Sequence, residues 1–231
     1  MKTLAIIVPA YNEGHRLGSF LKRLDSAIDA LNQYDVEVVL VDDGSENPQR
    51  KEIPVDFKHK LTILERPNND GQGAALNDGI NFARREFNAD FYVTIDGDGQ
   101  HDPWQIASML HCLLSQEVDI VFGNRFARAD LQMHWKRYSI LKGAILFERI
   151  LTGLDLHDAH NGFRVFTWKC ASCIELKQKR MAHATEFKQI VAANSLKYAE
   201  HPVSIQYNLD KRGQTDMGSF RILFDLLKAA L

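Results

Sequence analysis

Short apolar runs alternate with amphipathic stretches along the first half of this chain. Residues 4–8, 36–41, 61–64, 91–95 and 119–122 are compact, largely apolar runs, the signature of strands buried on both faces. Between them, Leu17, Phe20, Leu21, Leu24, Ile28 and Leu31 recur at helical spacing, and Leu76, Ile80, Ala83 and Phe87 mark the face of a second helix. A third helix from Pro103 turns Ile106, Met109, Leu110 and Leu113 inward, with Asp102 as the expected N-cap. Apolar strands alternating with amphipathic helices predict an α/β fold: a mostly parallel central sheet, helices on both faces and right-handed crossovers.

After Phe122 the pattern changes. Residues 125–137 are basic and read as a loop; residues 135–151 form an apolar helix with basic flanks. Such a helix suits a core crossover or the headgroup layer of a membrane. Residues 163–166 and 199–207 read as further strands, with a helix over 185–196 between them. Residues 220–231 end the chain as an amphipathic helix carrying Phe220, Leu223, Phe224, Leu227 and Leu231 on one side. No repeat or linker divides the sequence, so 1–231 is expected to be a single domain of two halves, 1–123 and 124–231.

Composition narrows the function classes. A net charge of −2 over 231 residues gives no electrostatic footprint for nucleic acid. Three cysteines, an odd number, fit a reducing compartment, and Cys170-x-x-Cys173 without a second pair reads as packing rather than zinc or redox chemistry. The first apolar run is short and stops at Pro9, so it is a strand and not a signal peptide. No stretch approaches bilayer length, which leaves only peripheral membrane contact or a segment outside these residues.

The chemistry concentrates where strands end. The run 91–95 leads into Asp96-Gly97-Asp98, placing two carboxylates at the carboxyl edge of the sheet, where open α/β folds bind ligands. Hard oxygen donors at this spacing suit Mg²⁺ or Mn²⁺ completed by substrate phosphates. An EF-hand loop starting at Asp96 fails, because His101 and Ala107 stand where Gly and Glu are needed. A phosphatase with an aspartyl nucleophile is a weaker reading; a polar turn is compatible with the metal site. Three other edges converge on the same crevice: Pro9 through Glu13, Asp42-Asp43-Gly44-Ser45, and Pro67 through Asn77. In the last, Leu76 replaces the third Gly of a dinucleotide fingerprint, which argues against a nicotinamide enzyme.

Pro-x-Tyr-Asn-Glu, Asp-Asp-Gly-Ser and Asp-x-Asp, in this order and spacing, resemble the family 2 glycosyltransferases of the GT-A fold. Asp158-Ala-His-Asn161-Gly162-Phe163-Arg164, Phe122-Gly-Asn-Arg125 and His201-Pro-Val203 running into Tyr207 are similar to the branch of dolichyl-phosphate mannose synthase and bacterial polyprenyl-phosphate sugar transferases. The resemblance implies an inverting, metal-dependent transfer of a hexose from a UDP- or GDP-linked sugar to a polyprenyl phosphate. The alternative acceptor is a sugar hydroxyl of a surface polysaccharide or glycolipid, and a rival class is a non-catalytic nucleotide-sugar binder. It also implies a cytoplasmic protein, peripheral at the inner face of the membrane.

The same resemblance implies roles. Pro9, Tyr11, Glu13 and Gly73 would line the donor pocket, with Asp42 and Asp43 on the base or ribose. Asp98 would ligate Mg²⁺ or Mn²⁺, Asp96 would join it or hold the ribose, and Gln100 would add an oxygen. Arg125, Arg137 and Arg164 are the candidates for an acceptor phosphate, because the guanidinium fork matches phosphate oxygens. A hydroxyl acceptor would need a base, for which Glu186 and Asp158 are the candidates. Two positions depart from the pattern: Gln72 stands where relatives have Lys or Arg, and Asp216 replaces a Lys in Gly213-Gln-Thr-Asp216.

Overall fold

The computed structural model describes residues 1–127, 143, 145–146, 148–158, 161–180 and 182–206. Among the described residues, seven strands form one sheet: β1 (Lys2–Ala10), β2 (Tyr34–Asp42), β3 (Lys60–Glu65), β4 (Phe91–Thr94), β5 (Ile120–Asn124), β6 (Arg164–Thr167) and β7 (Tyr198–Pro202). Their spatial order is β3-β2-β1-β4-β6-β5-β7. The pairs β1–β2, β2–β3, β1–β4 and β5–β7 are parallel. β6 runs antiparallel between β4 and β5. The expected mostly parallel sheet is therefore present, with one interior strand reversed.

Helices α1 (His15–Ile28), α2 (Gln72–Glu86), α3 (Gln105–Ser115), α4 (Trp168–Cys173) and α5 (His183–Ala193) complete the frame. Strand side chains alternate between faces, so the apolar run of β1 feeds two cores. Leu4, Ile6 and Val8 pack with Phe20 and Leu21 of α1 and Met109 and Leu113 of α3. Ala5 and Ile7 pack with Leu76 and Ile80 of α2 and Phe187 and Val191 of α5. This two-sided burial is why residues 4–8 of β1 carry no polar side chain.

Several elements differ from expectation. α3 begins at Gln105, because the Asp102 carboxylate accepts the Trp104 amide at 3.2 Å in a turn that precedes the helix. The last strand is only Tyr198–Pro202; Val203 and Gln206 leave it to bond the carbonyls of Asn124 and Gln100. α4 was not expected: it is a six-residue helix capped by Thr167, whose hydroxyl accepts the Cys170 amide, and is too short to show a periodic pattern. The amphipathic helix expected over 220–231 and most of the loop over 125–137 lie outside the described residues. So does part of the helix expected over 135–151, whose described residues at 148–152 are helical.

Candidate active site

The parallel strands β3, β2, β1 and β4 end side by side, and their following loops are stitched together. The Asn12 amide donates to Ser45 Oγ (2.9 Å), and the Glu13 amide to Gln49 Oε1 (3.1 Å). Asp42, 3% exposed, accepts the amides of Ser45 (3.0 Å) and Gln49 (2.9 Å). Asp43 accepts the amides of Asp70 (3.3 Å) and Gly71 (2.7 Å), with Arg66 Nε at 3.1 Å. The two carboxylates expected on a nucleoside thus also brace the loops that follow the strands. Pro9 is buried in β1, whereas Tyr11 beyond it is 40% exposed.

Asp96 and Asp98 follow β4 at the centre of this edge. Gln72 Nε2 donates to Asp96 Oδ1 at 2.6 Å. The residue that replaces a basic one in the family pattern thus orients a carboxylate of the Asp-x-Asp pair. Burial raises the Asp96 pKa, opposed by Arg164, Arg125 and the Gln72 hydrogen bond. Burial raises Asp98 as well, and the neighbouring Asp96 charge adds to it. Glu13 is a third acid facing the pair. Its pKa is pushed up to about 7 by burial, with Arg16 opposing and Asp98 and Asp96 adding.

Among the described residues, no three His, Cys, Asp or Glu side chains form a protein-only metal cage. Mg²⁺ and Mn²⁺ sites in phosphate-transferring enzymes need only one or two carboxylates, because substrate phosphates and water complete them. Asp96 and Asp98 fit that role: they are acidic neighbours whose charged forms burial disfavours, a cost that a bound cation would offset. Gln100 is tied here through its backbone, its amide donating to Asp98 Oδ1 at 2.9 Å.

The second half meets the pair through β6. Arg164 lies opposite Thr94 in register, and Thr94 Oγ1 donates to the Gly162 carbonyl at 2.8 Å. Gly162 presses on Asp96 so closely that a Cβ would fall 2.6 Å and 2.7 Å from its carboxylate oxygens. Arg125, at the end of β5, is gripped by Asp158: Nε to Oδ2 at 2.8 Å, Nη2 to Oδ1 at 2.7 Å. The Asp158 side chain is fully buried, while that of Arg125 is 25% exposed. Arg164 is 1% exposed, its guanidinium 4.7 Å from the centre of the Phe187 ring. Burial lowers its pKa to about 10, against Asp96, Glu148 and Asp158. Arg164 is thus a buried cation whose charge acts on Asp96, with Nε and Nη1 lacking a hydrogen-bond partner.

Glu186 stands in the first turn of α5, where its carboxylate accepts the amides of Lys177 (3.0 Å) and Gln178 (2.8 Å). The Gly73 amide donates to the Lys179 carbonyl at 2.8 Å, so the start of α2 is covered by chain rather than open to an anion. Arg137 and the segment 213–216 lie outside the described residues.

His101 belongs to the site, although no motif in the sequence marks it as functional. It is 4% exposed, packs edge-on against Phe163, and sets Nε2 3.8 Å from Asp96 Oδ2. Burial keeps the ring neutral, its pKa pushed down to about 4, and its Nδ1 has no hydrogen-bond partner. Its position three residues after Asp98 was the only sequence signal.

Residues 5–172 match the model of glycosyl transferase family 2. The chain is 27% identical to UDP-N-acetylglucosamine–dolichyl-phosphate N-acetylglucosaminyltransferase of Methanococcus voltae, over 98% of this chain and 95% of that protein. It is 29% identical to dolichol-phosphate mannosyltransferase of Pyrococcus furiosus over 75% of this chain, and spans about half (48%) of that relative's length. Among solved structures, glucosyl-3-phosphoglycerate synthase of Mycobacterium tuberculosis with Mn²⁺, uridine diphosphate and phosphoglyceric acid superposes with a TM-score of 0.62 at 16% identity. That superposition covers 98% of this chain and 78% of the other. The family match runs from the first strand through the carboxylate pair to β6 and α4, and on that extent the chain is a glycosyltransferase that belongs to family 2 and has the GT-A fold.

Proposed function

We propose that this protein transfers a hexose from a UDP- or GDP-linked sugar to a polyprenyl phosphate with inversion at the anomeric carbon. Residues 1–123 would hold the donor and 124–231 the acceptor, within one domain. The observation that carries the reading is the contact between the halves, where Gly162 abuts the Asp96 carboxylate beside Asp98. A donor diphosphate at the carboxylate pair then lies next to the Arg125–Asp158 unit. In the reaction, an oxygen of the acceptor phosphate forms a bond to the anomeric carbon. The bond from that carbon to the diphosphate oxygen breaks, and its electron pair leaves with the nucleoside diphosphate.

Asp96 and Asp98 would hold Mg²⁺ or Mn²⁺, whose chemistry is to neutralise charge on the leaving diphosphate. Gln72 and Arg164 would keep Asp96 ionised and aimed. Tyr11 would flank the nucleoside. Arg125, oriented by Asp158, would receive the acceptor phosphate.

The occupied carboxylates favour a phosphate acceptor. A hydroxyl acceptor needs a base, yet Asp158 is bound side-on to Arg125 and Glu186 is committed to two loop amides. A lipid phosphate is already an anion near neutral pH and needs none. The relatives named for transfer to dolichyl phosphate support the same acceptor class. Contact with a membrane surface would follow. No helix among the described residues is long and apolar enough to cross one, but Leu146 (60% exposed) and Ile150 (75% exposed) present apolar surface next to Arg149.

The test is nucleoside diphosphate release from UDP- and GDP-sugars, with and without polyprenyl phosphate and Mn²⁺. Acceleration by the lipid phosphate is expected, and Glu186→Gln should retain it. Equal release with and without the lipid would overturn the acceptor assignment.

A further inference from the structure

Arg23, on α1, sits outside every motif of the site, and its guanidinium nevertheless reaches the turn that follows the carboxylate pair. Its Nη2 donates to the Gly99 carbonyl at 2.6 Å, and its Nη1 to Gln206 Oε1 at 3.4 Å. The Gly99 carbonyl and the Gln100 amide belong to one peptide unit. The amide end of that unit donates to Asp98 Oδ1 at 2.9 Å. A continuous path therefore runs from the Arg23 guanidinium, through one peptide plane, to a carboxylate oxygen of Asp98.

The same turn is held from its other side. The Gln206 amide donates to the Gln100 carbonyl at 2.8 Å, and His101 bridges Ile205. The turn needs this support, because Gly99 adopts φ +81°, a conformation open mainly to glycine and otherwise free to relax. A charge-assisted hydrogen bond to one end of a peptide polarises it and strengthens the bond its other end makes.

We propose that Arg23 is a positioning residue for Asp98, fixing the carboxylate through the Gly99–Gln100 peptide so that it meets a divalent cation in one orientation. The assignment rests on the cation-assisted reading given under Proposed function. Partners in the shell behind a metal ligand act in this way, and their loss typically costs about 10–100-fold in metal affinity.

The experiment reads binding without turnover: the paramagnetic resonance signal of free Mn²⁺ as the full chain is titrated, alone and with UDP or GDP. Arg23→Ala should weaken Mn²⁺ binding about tenfold, near the lower end of the range for such partners. Arg23→Lys keeps one donor for Gly99 and should recover part of the loss. Gln206→Ala removes only the weaker arm and should cost less than Arg23→Ala. It also supplies the measurement if Arg23→Ala does not fold. A merely structural arginine would lower the thermal midpoint and leave the Mn²⁺ affinity of the folded protein unchanged. Wild-type affinity in folded Arg23→Ala, or in Gln206→Ala together with Arg23→Lys, overturns the assignment alone. No Mn²⁺ binding by the wild type with either nucleotide overturns the parent reading and this one with it.

Discussion

At the scale of single residues, the site is a set of acids held at unfavourable charge. Glu13 shows the consequence most directly. Its pKa rises from 4.5 to about 7 because burial outweighs the nearby Arg16, whose Nη2 is 2.7 Å from Glu13 Oε2. A raised acid binds protons in the native state that the unfolded chain has already released. Its contribution to stability is therefore greatest below pH 4.5 and is lost as pH rises towards about 7, beyond which it stays constant. Glu13→Gln removes the titration and should flatten the fall in urea midpoint across that window. Denaturation curves at both ends of the window check this, and a slope as steep as the wild type's would show that other acids cause it. The sequence placed Glu13, Asp96 and Asp98 in one crevice because motif residues at strand ends must converge. It did not reveal that Asp42 and Asp43 accept loop amides, because such contacts leave no mark in the order of residues. His101 and Arg23 were hidden for a related reason: their roles come from contacts across the chain.

At the scale of elements, the decisive event is the insertion of β6 between β4 and β5. Each of the first five strands was legible as an apolar run, and each following helix as a periodic stripe. The reversal of β6 was not, since antiparallel pairing leaves no mark on a four-residue strand buried like its neighbours. Yet that reversal carries Gly162 to Asp96. A methyl group there cannot be accommodated without moving the carboxylate, because both oxygens would lie within 2.7 Å of it. Gly162→Ala should therefore act on the site more than on the fold. Displacing a reacting-site group by about 1 Å can cost roughly a hundredfold, and sugar transfer should fall by that order. Steady-state kinetics beside a thermal melt would decide it. Transfer within twofold of the wild type would mean that Asp96 has room to retreat, and that the contact is incidental.

At the scale of the whole molecule, two halves share one sheet, and on the proposed reading the second half meets a lipid acceptor. The helical residues 148–152 show how this half is oriented. Glu148 and Thr152, four apart, are buried, with Glu148 bound to Lys188 and accepting Thr185 Oγ1 at 3.0 Å. Leu146 and Ile150, also four apart, point the other way and are largely exposed. One face is thus anchored to α5 by an ion pair and a hydrogen bond, and the opposite face leaves apolar surface to solvent, where neither core receives it. A lipid headgroup layer would recover that surface. Burying a Leu or Ile side chain is worth about 1.5–3 kcal/mol, so the pair contributes enough to shift partitioning by more than about tenfold. Leu146→Asp with Ile150→Asp should reduce co-sedimentation with phosphatidylglycerol-containing vesicles by at least about that factor. Binding of nucleotide sugar with Mn²⁺ should persist, because the substituted face is opposite the one tied to the protein. Unchanged sedimentation would remove this face from the membrane contact. Loss of both activities together would instead place the helix in the donor architecture, through Glu148 and the buried Arg164 that feels its charge.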